Sequence, residues 1–348
     1  MNIIGCDYHP SFQQIAWVDT ETGEMQERKL THGDGEAERF YRQLRGPVRV
    51  GLEATGNCHW FVDLLAEMGH EVWIGDAARI SAQQVRQQRT DRRDALHILD
   101  LLVKDDFPRI WTPSRQERDQ RQLLIHRYKL VTLRARVKNE LQHLALNQGM
   151  QKGRSLWSKA GQKLLLDLPL QFWAGARRKN LVELLKQMDQ QMVMLDQAVK
   201  KVAEENEKAR LLMTQPGVGP ITSLAFVLTL GDVTRFRQGK QVASYLGLIP
   251  REYSSGGKQR LGGISKQGNR FMRMLLVEAA QAVSVTIPGF ARSICIVAIT
   301  SRKRWPRWQR RASWPYDSTG CFAPTRRIQR SFASRAARGC PWAAKHRP

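Results

Sequence analysis

Residues 2–19 read NIIGCDYHPSFQQIAWVD and hold two short β-rich runs, NIIGCD and FQQIAWVD, separated by His9-Pro10-Ser11. Apolar and β-branched residues in runs of this length, bounded by turn formers, predict strands. Working outward, EMQERKL after the turn Glu21-Thr22-Gly23 reads as a third strand. A helix from Gly35 to Leu44 then leads into a fourth strand, PVRVGLE, which ends on Glu53. A helix over His59–Met68, a strand HEVWIG and a helix beginning near Asp91 complete residues 1–112.

The resulting order, βββαβαβα, is that of the α/β RNase H-like fold, whose parallel strands are joined by right-handed crossovers. Residues 113–212 change character: Pro and Gly become scarce and helix formers dominate. Gln116–Leu146 is predicted helical, and Gly149–Gly161 reads as a connection between two arms. Leu181, Leu185, Met188, Met192, Leu195, Val199 and Val202 then step alternately by four and three. That heptad seam predicts a coiled coil, within the chain or between chains. Residues 213–292 form a third, mostly α unit with a Gly/Ser-rich stretch before the apolar helix FMRMLLVEAAQAV.

The 348 residues carry 56 Lys and Arg against 32 Asp and Glu, a net charge of +24. A field of that sign attracts polyanions, nucleic acid first. Five scattered cysteines without a CxxC pair argue against a disulfide framework or a zinc site, and Cys6 and Cys58 read as small core residues. No apolar run approaches a membrane span and MNIIGCDYH is not a signal peptide, so the expected compartment is the cytoplasm. The eight His and ten Trp show no ligand-spaced cluster; His59, Trp60 and His126 read as packing or surface residues.

Four acids stand out by position. Asp7 ends the first strand and Glu53 the fourth, while Asp91 and Asp94, three apart in RTDRRDA, share a face of the helix they begin. First and fourth strands are neighbours in an RNase H-like sheet, so these carboxylates can converge. Convergent carboxylates repel one another unless cations lie among them, and oxygen-only ligands select Mg²⁺ or Mn²⁺. Two such ions support phosphodiester displacement. For Asp91 and Asp94 alone, charging a helix N-terminus is the competing reading. The turn PGVGP, with Gly217 and Gly219, lets backbone N–H groups approach a phosphate, or is a plain loop-to-helix junction. The stretch Tyr253–Arg273 mixes Ser254, Ser255 and Ser265 with Lys258, Arg260, Lys266, Arg270 and Arg273. It suits either a phosphate-gripping loop with a nucleophilic serine or a flexible basic surface.

Together, IIGCD, GLEATG, RTDRRDA, PGVGP and ASYLGLIPREYSSGGKQRLGGISKQGNRFMRMLL resemble the insertion-sequence one-ten family, including its eleven-eleven branch, over roughly residues 1–290. These are the DEDD transposases, bridge-RNA-guided recombinases. The resemblance implies a Holliday-junction-resolvase-like N-terminal domain in which Asp7, Glu53, Asp91 and Asp94 are the catalytic and metal-binding acids. It also implies a coiled coil leading to a transposase domain with a nucleophilic serine, which falls on Ser255, with Ser254 as runner-up. Implied partners are DNA, a structured noncoding guide RNA and further copies of the chain, as a dimer and a larger synapse. A prokaryotic, nucleoid-associated setting follows.

The departure from the family lies at residues 293–348. From Arg292 onward there are twelve Arg and two Lys against one acid, Asp317, a charge of +13, with no apolar periodicity. This stretch is expected to be an aberrant, disordered basic tail. Back-translated and read two nucleotides further on, permitted codons for Lys303–Phe322 give AMAAVAKTGKLAVRLYWMLR, an amphipathic helix of the family's kind. The expected explanation is a frameshift between about Pro288 and Lys303, with an arginine-rich RNA-binding arm as the rival. The functions to be separated are therefore an RNA-guided recombinase, a catalytically inactive RNA- and DNA-binding relic, and a junction resolvase using only the four acids.

Overall fold

The structure, a computed structural model, describes residues 1–84, 90–151 and 154–286. The expectations for the tail, its frameshift and Cys295, Cys321 and Cys340 lie outside the described residues. Within them the chain divides into one unit that contains residues 1–84, 90–151, 154–249 and 265–286 and a second that contains residues 250–264.

The N-terminal half of the first unit is built on five strands: β1 Asn2–Tyr8, β2 Phe12–Asp19, β3 Met25–Thr31, β4 Val48–Glu53 and β5 Glu71–Gly75. They lie in the order β3-β2-β1-β4-β5. β1, β2 and β3 pair antiparallel, whereas β4 is parallel to β1 and β5 parallel to β4. This mixed sheet with its helices is consistent with an RNase H-like domain.

The two-residue period of a strand explains how each face is used. Ile4, Cys6, Val48, Val50, Leu52 and Ile74 point to a core shared with α1 (Glu36–Gln43) and α2 (His59–Glu67) through Tyr41, Phe61 and Leu65. The alternate positions face α4, Asp91–Val103, which buries Ala95, Ile98, Leu99 and Leu102. Gly5 is required here, because a Cβ on it would lie 2.4 Å from the Ala95 carbonyl and the Leu99 nitrogen. The helix can therefore lie directly on the strand backbone, with its first turn level with the end of β1. Cys6 and Cys58 are buried thiols, as expected. A further helix that no local period announces, α3, Ala77–Gln83, has seven residues and is capped by Asp76, which accepts from the Ala78 and Arg79 nitrogens.

Helices α5 (Arg115–Asn147) and α7 (Phe172–Glu205) form the long arm, joined through a 3-10 turn, Arg154–Trp157, and α6, Lys159–Leu166. The connection expected at 149–161 thus includes the start of a further helix. The heptad seam is covered by the chain itself: Leu185, Met188 and Met192 pack with Leu130, Val137, Leu141 and Leu144. Ion pairs Arg134–Asp189 and Arg127–Asp196 flank it. Beyond Leu195 the seam leaves the arm. Val199 and Ala203 enter a different core with Leu124, Leu224, Leu228, Leu246 and Met272. The seam thus serves two cores, because α7 is long enough to reach both. Met188→Asp is expected to cost about 3 kcal/mol or more, since it buries a charge without a partner. Thermal denaturation should show a lowered Tm without a change in oligomeric state. Dissociation of an oligomer at unchanged Tm would place the seam between chains.

The core at that end is completed by α8 (Glu207–Met213), α9 (Pro220–Leu230), α10 (Gly239–Tyr245) and α11 (Arg270–Thr286). Gly231 has φ +61°, and its missing Cβ leaves room for the Trp111 ring. That ring is flanked by the Arg121 and Arg235 guanidinium groups at 5.3 and 5.2 Å. The second unit holds a two-stranded antiparallel sheet, β6 Pro250–Glu252 and β7 Leu261–Ile264, in a region expected to be mostly helical. No helix among the described residues is long and apolar enough to cross a membrane.

Candidate active site

The acids are positioned by the two ends that the sheet and α4 bring together. Asp7 follows Cys6, which is in register with Leu52 of β4. Glu53 is therefore the next residue on the neighbouring parallel strand, level with Asp7 and on the same face. Thr90 caps α4, its side chain accepting from the Arg93 nitrogen at 3.3 Å, and this starts the helix at Asp91. Asp94 lies in the same first turn and accepts a hydrogen bond from Gln84 Nε2 at 2.8 Å. Arg92, on another face, pairs with Glu27 of β3.

Asp7 and Asp91 meet, and a residue absent from the sequence-based set stands with them. His9 Nε2 lies 3.2 Å from Asp7 Oδ2 and 3.6 Å from Asp91 Oδ1. One ligand atom from each of the three lies within 4.8 Å of the others. The His9 ring stacks on Phe12, with centroids 4.6 Å apart and planes 23° from parallel. Its backbone nitrogen donates to the Phe12 carbonyl at 2.9 Å, closing the β1–β2 turn. Burial pushes the Asp7 carboxyl above the usual carboxylate range; His9 opposes this, and Asp94 and Asp91 add to it by like-charge repulsion. Asp94 is thus electrostatically part of the site. Glu53 ends β4 exposed and is not one of the three converging residues. His9 lies in the turn just beyond β1, two residues after Asp7, and no local pattern in the sequence marks it as a neighbour of Asp91.

Donor chemistry fits a divalent cation: carboxylate oxygens that repel one another, with an imidazole nitrogen alongside. The positive end of the α4 dipole faces the same point and eases the accumulation of negative charge there.

The other candidate residues lie elsewhere in the chain. Gly217 has φ +76° in the turn between α8 and α9, a conformation that favours glycine, and Gly219 caps α9 with Pro220 in its first turn. Ser255 lies in the exposed β6–β7 hairpin, its backbone bridged to Lys258. Ser254 Oγ donates to Glu252 Oε1 at 2.6 Å and accepts from the Arg260 nitrogen at 3.1 Å. Lys258, Arg260, Lys266 and Arg270 are exposed. Arg273, grouped by sequence with the phosphate-gripping cations, is instead half-buried and engaged by the backbone. Its Nη1 donates to the carbonyls of Leu246, Gln267 and Gly268 at 3.1, 2.5 and 3.0 Å.

The first unit thus carries acids at the ends of adjacent strands of a mixed sheet, and basic helical segments follow it in the chain. Residues 4–149 match the family model of IS110-type DEDD transposases, described as a transposase. Residues 209–294 match that of the Transposase IS116/IS110/IS902 family. The chain is similar to a probable family 20 transposase of Pseudomonas aeruginosa, 28% identical over 307 residues that cover 87% of each chain. It is also similar to the transposase for insertion sequence element IS1111A of Coxiella burnetii, 27% identical over 81% of this chain and 78% of the relative. A pilin gene-inverting protein of Moraxella bovis is 26% identical over 70% of each chain. This chain belongs to the IS110 family of transposases. Its class of activity is DNA transposition and recombination, and DEDD nuclease domains of such transposases generally depend on divalent metal.

Proposed function

We propose that this chain is an RNA-guided, metal-dependent recombinase that excises and inserts its own insertion sequence. The observation that carries the reading is the meeting of Asp7, at the end of β1, with Asp91 in the first turn of α4, within electrostatic reach of Asp94. Asp7, Glu53, Asp91 and Asp94 would hold Mg²⁺ or Mn²⁺, which supplies Lewis acidity for phosphodiester displacement. The chain's own side chains do the positioning. Strand pairing and the Gly5 approach hold Asp7 against α4, and the Thr90 cap presents Asp91.

Ser255 is the proposed nucleophile. Among the described residues its hydroxyl makes no hydrogen bond, whereas that of Ser254 is engaged on both sides. Attack by the Ser255 oxygen on a backbone phosphorus breaks the bond from that phosphorus to one sugar oxygen. A phosphoserine ester results, and the serine proton is balanced by the one the departing sugar hydroxyl gains. Gly217, Gly219, Lys258, Arg260, Lys266 and Arg270 contact nucleic acid: the DNA ends and the structured noncoding RNA of the element. The active assembly is a homodimer or a larger synapse.

The residues beyond the family match, which ends at 294, are in this proposal the product of a frameshift. The test combines the element's RNA with donor and target DNA, using the chain as it stands and a version with the shifted reading of 303–322 restored. Recombination is expected to require both RNA and divalent metal and to be faster in the restored chain. Strand cleavage that ignores the RNA would favour the junction-resolvase reading, and tight binding without turnover in both versions the relic.

A further inference from the structure

We propose that His9 is a nitrogen ligand of the metal site and tilts that site toward Mn²⁺ over Mg²⁺. The inference rests on the metal-dependent reading above but concerns a residue outside the four acids. His9 Nε2 points at both carboxylates, 3.2 Å from Asp7 and 3.6 Å from Asp91. Both separations match those of ligands that share an ion, which at about 2.0–2.2 Å from it lie roughly 3–4 Å apart, and the three donor atoms all lie within 4.8 Å of one another.

The ring is held in place. Stacking on Phe12 sets its plane, and the backbone bond from His9 to Phe12 sets its root in the β1–β2 turn. Lys29 Nζ lies 3.9 Å from the centroid on the Phe12 ring, holding that ring in turn through its π face. An imidazole fixed this way enters the site with little entropy left to lose, as a good ligand must. Hard, strongly hydrated Mg²⁺ gains little from a nitrogen donor and prefers oxygen. Mn²⁺ accepts imidazole more readily, so a fixed nitrogen beside two carboxylates discriminates between them.

The experiment uses the full-length chain titrated with Mn²⁺ and examined by electron spin-echo envelope modulation. A directly bound imidazole nitrogen should appear in the wild-type spectrum and vanish in His9→Asn. Mn²⁺ affinity should fall about ten-fold in that variant while Mg²⁺ affinity changes by less than about two-fold. The wild-type spectrum stands alone if the variant fails to fold. Bound Mn²⁺ without nitrogen coupling in the wild type overturns the His9 assignment and leaves the metal reading intact. If Mn²⁺ does not bind, or binds equally to wild type and Asp7→Asn, the metal reading fails and His9 falls with it.

Discussion

Asp7→Asn is expected to lower strand cleavage by about a thousand-fold or more while changing nucleic-acid affinity less than about two-fold. The substitution is nearly isosteric, so β1 keeps its pairing and α4 its seat over Gly5. What is lost is the one acid of the site that strand geometry holds in a partly buried position between Asp91, Asp94 and His9. Affinity survives because phosphate binding draws on the distributed basic side chains rather than on the acids. A second readout separates this from misfolding. Burying the Asp7 charge beside two other carboxylates is unfavourable in metal-free protein, so the variant is expected to melt at a higher temperature than the wild type. Lost cleavage with a raised Tm marks a functional site whose arrangement costs stability. Cleavage and melting measured on one preparation check this, with Asp100→Asn as control, an acid on α4 paired with Lys104. Wild-type cleavage by Asp7→Asn would sink the proposed site.

Ser255→Ala is expected to abolish the covalent protein–DNA linkage, whereas Ser254→Ala retains it at reduced yield. The hairpin explains the difference. Ser254 bonds to Glu252 and to the Arg260 backbone, tying β6 to the chain entering β7, so its removal loosens the loop that presents the neighbour. Ser255 is anchored by its backbone alone, which leaves the side chain for chemistry. Denaturing electrophoresis of trapped complexes and peptide mapping of the phosphoserine decide between them. Linkage that persists in Ser255→Ala and is lost in Ser254→Ala moves the nucleophile by one residue and turns the Ser254 hydrogen bonds into an activating arrangement.

Much of the fold and of the site was legible in the sequence because the information was local. Short β-rich runs, IIGCD and VRVGLE, mark the strands, and the turn formers and acids that follow them mark where the strands end. That places Asp7 and Glu53 level on neighbouring strands once the element order is known. Thr90 before Asp91 marks a helix start, so Asp91 and Asp94 share its first turn. The overlooked α3 and α6 are short helices of seven and eight residues, with too few turns to display a period.

Tertiary structure decided what local patterns leave open. A heptad seam states which face of α7 is buried but not what buries it. The arm folds back so that α5 covers Leu185, Met188 and Met192, while Val199 and Ala203 run into another core. A basic stretch gives the number of cations without their partners. Arg273 is held by three backbone carbonyls where chain segments 245–247 and 267–268 cross so closely that neither Gly247 nor Gly268 has space for a Cβ. His9 reads as a turn residue until α4 crosses the end of β1. Only then does its imidazole stand between Asp7 and Asp91, a relation made by long-range packing and invisible to any window along the chain.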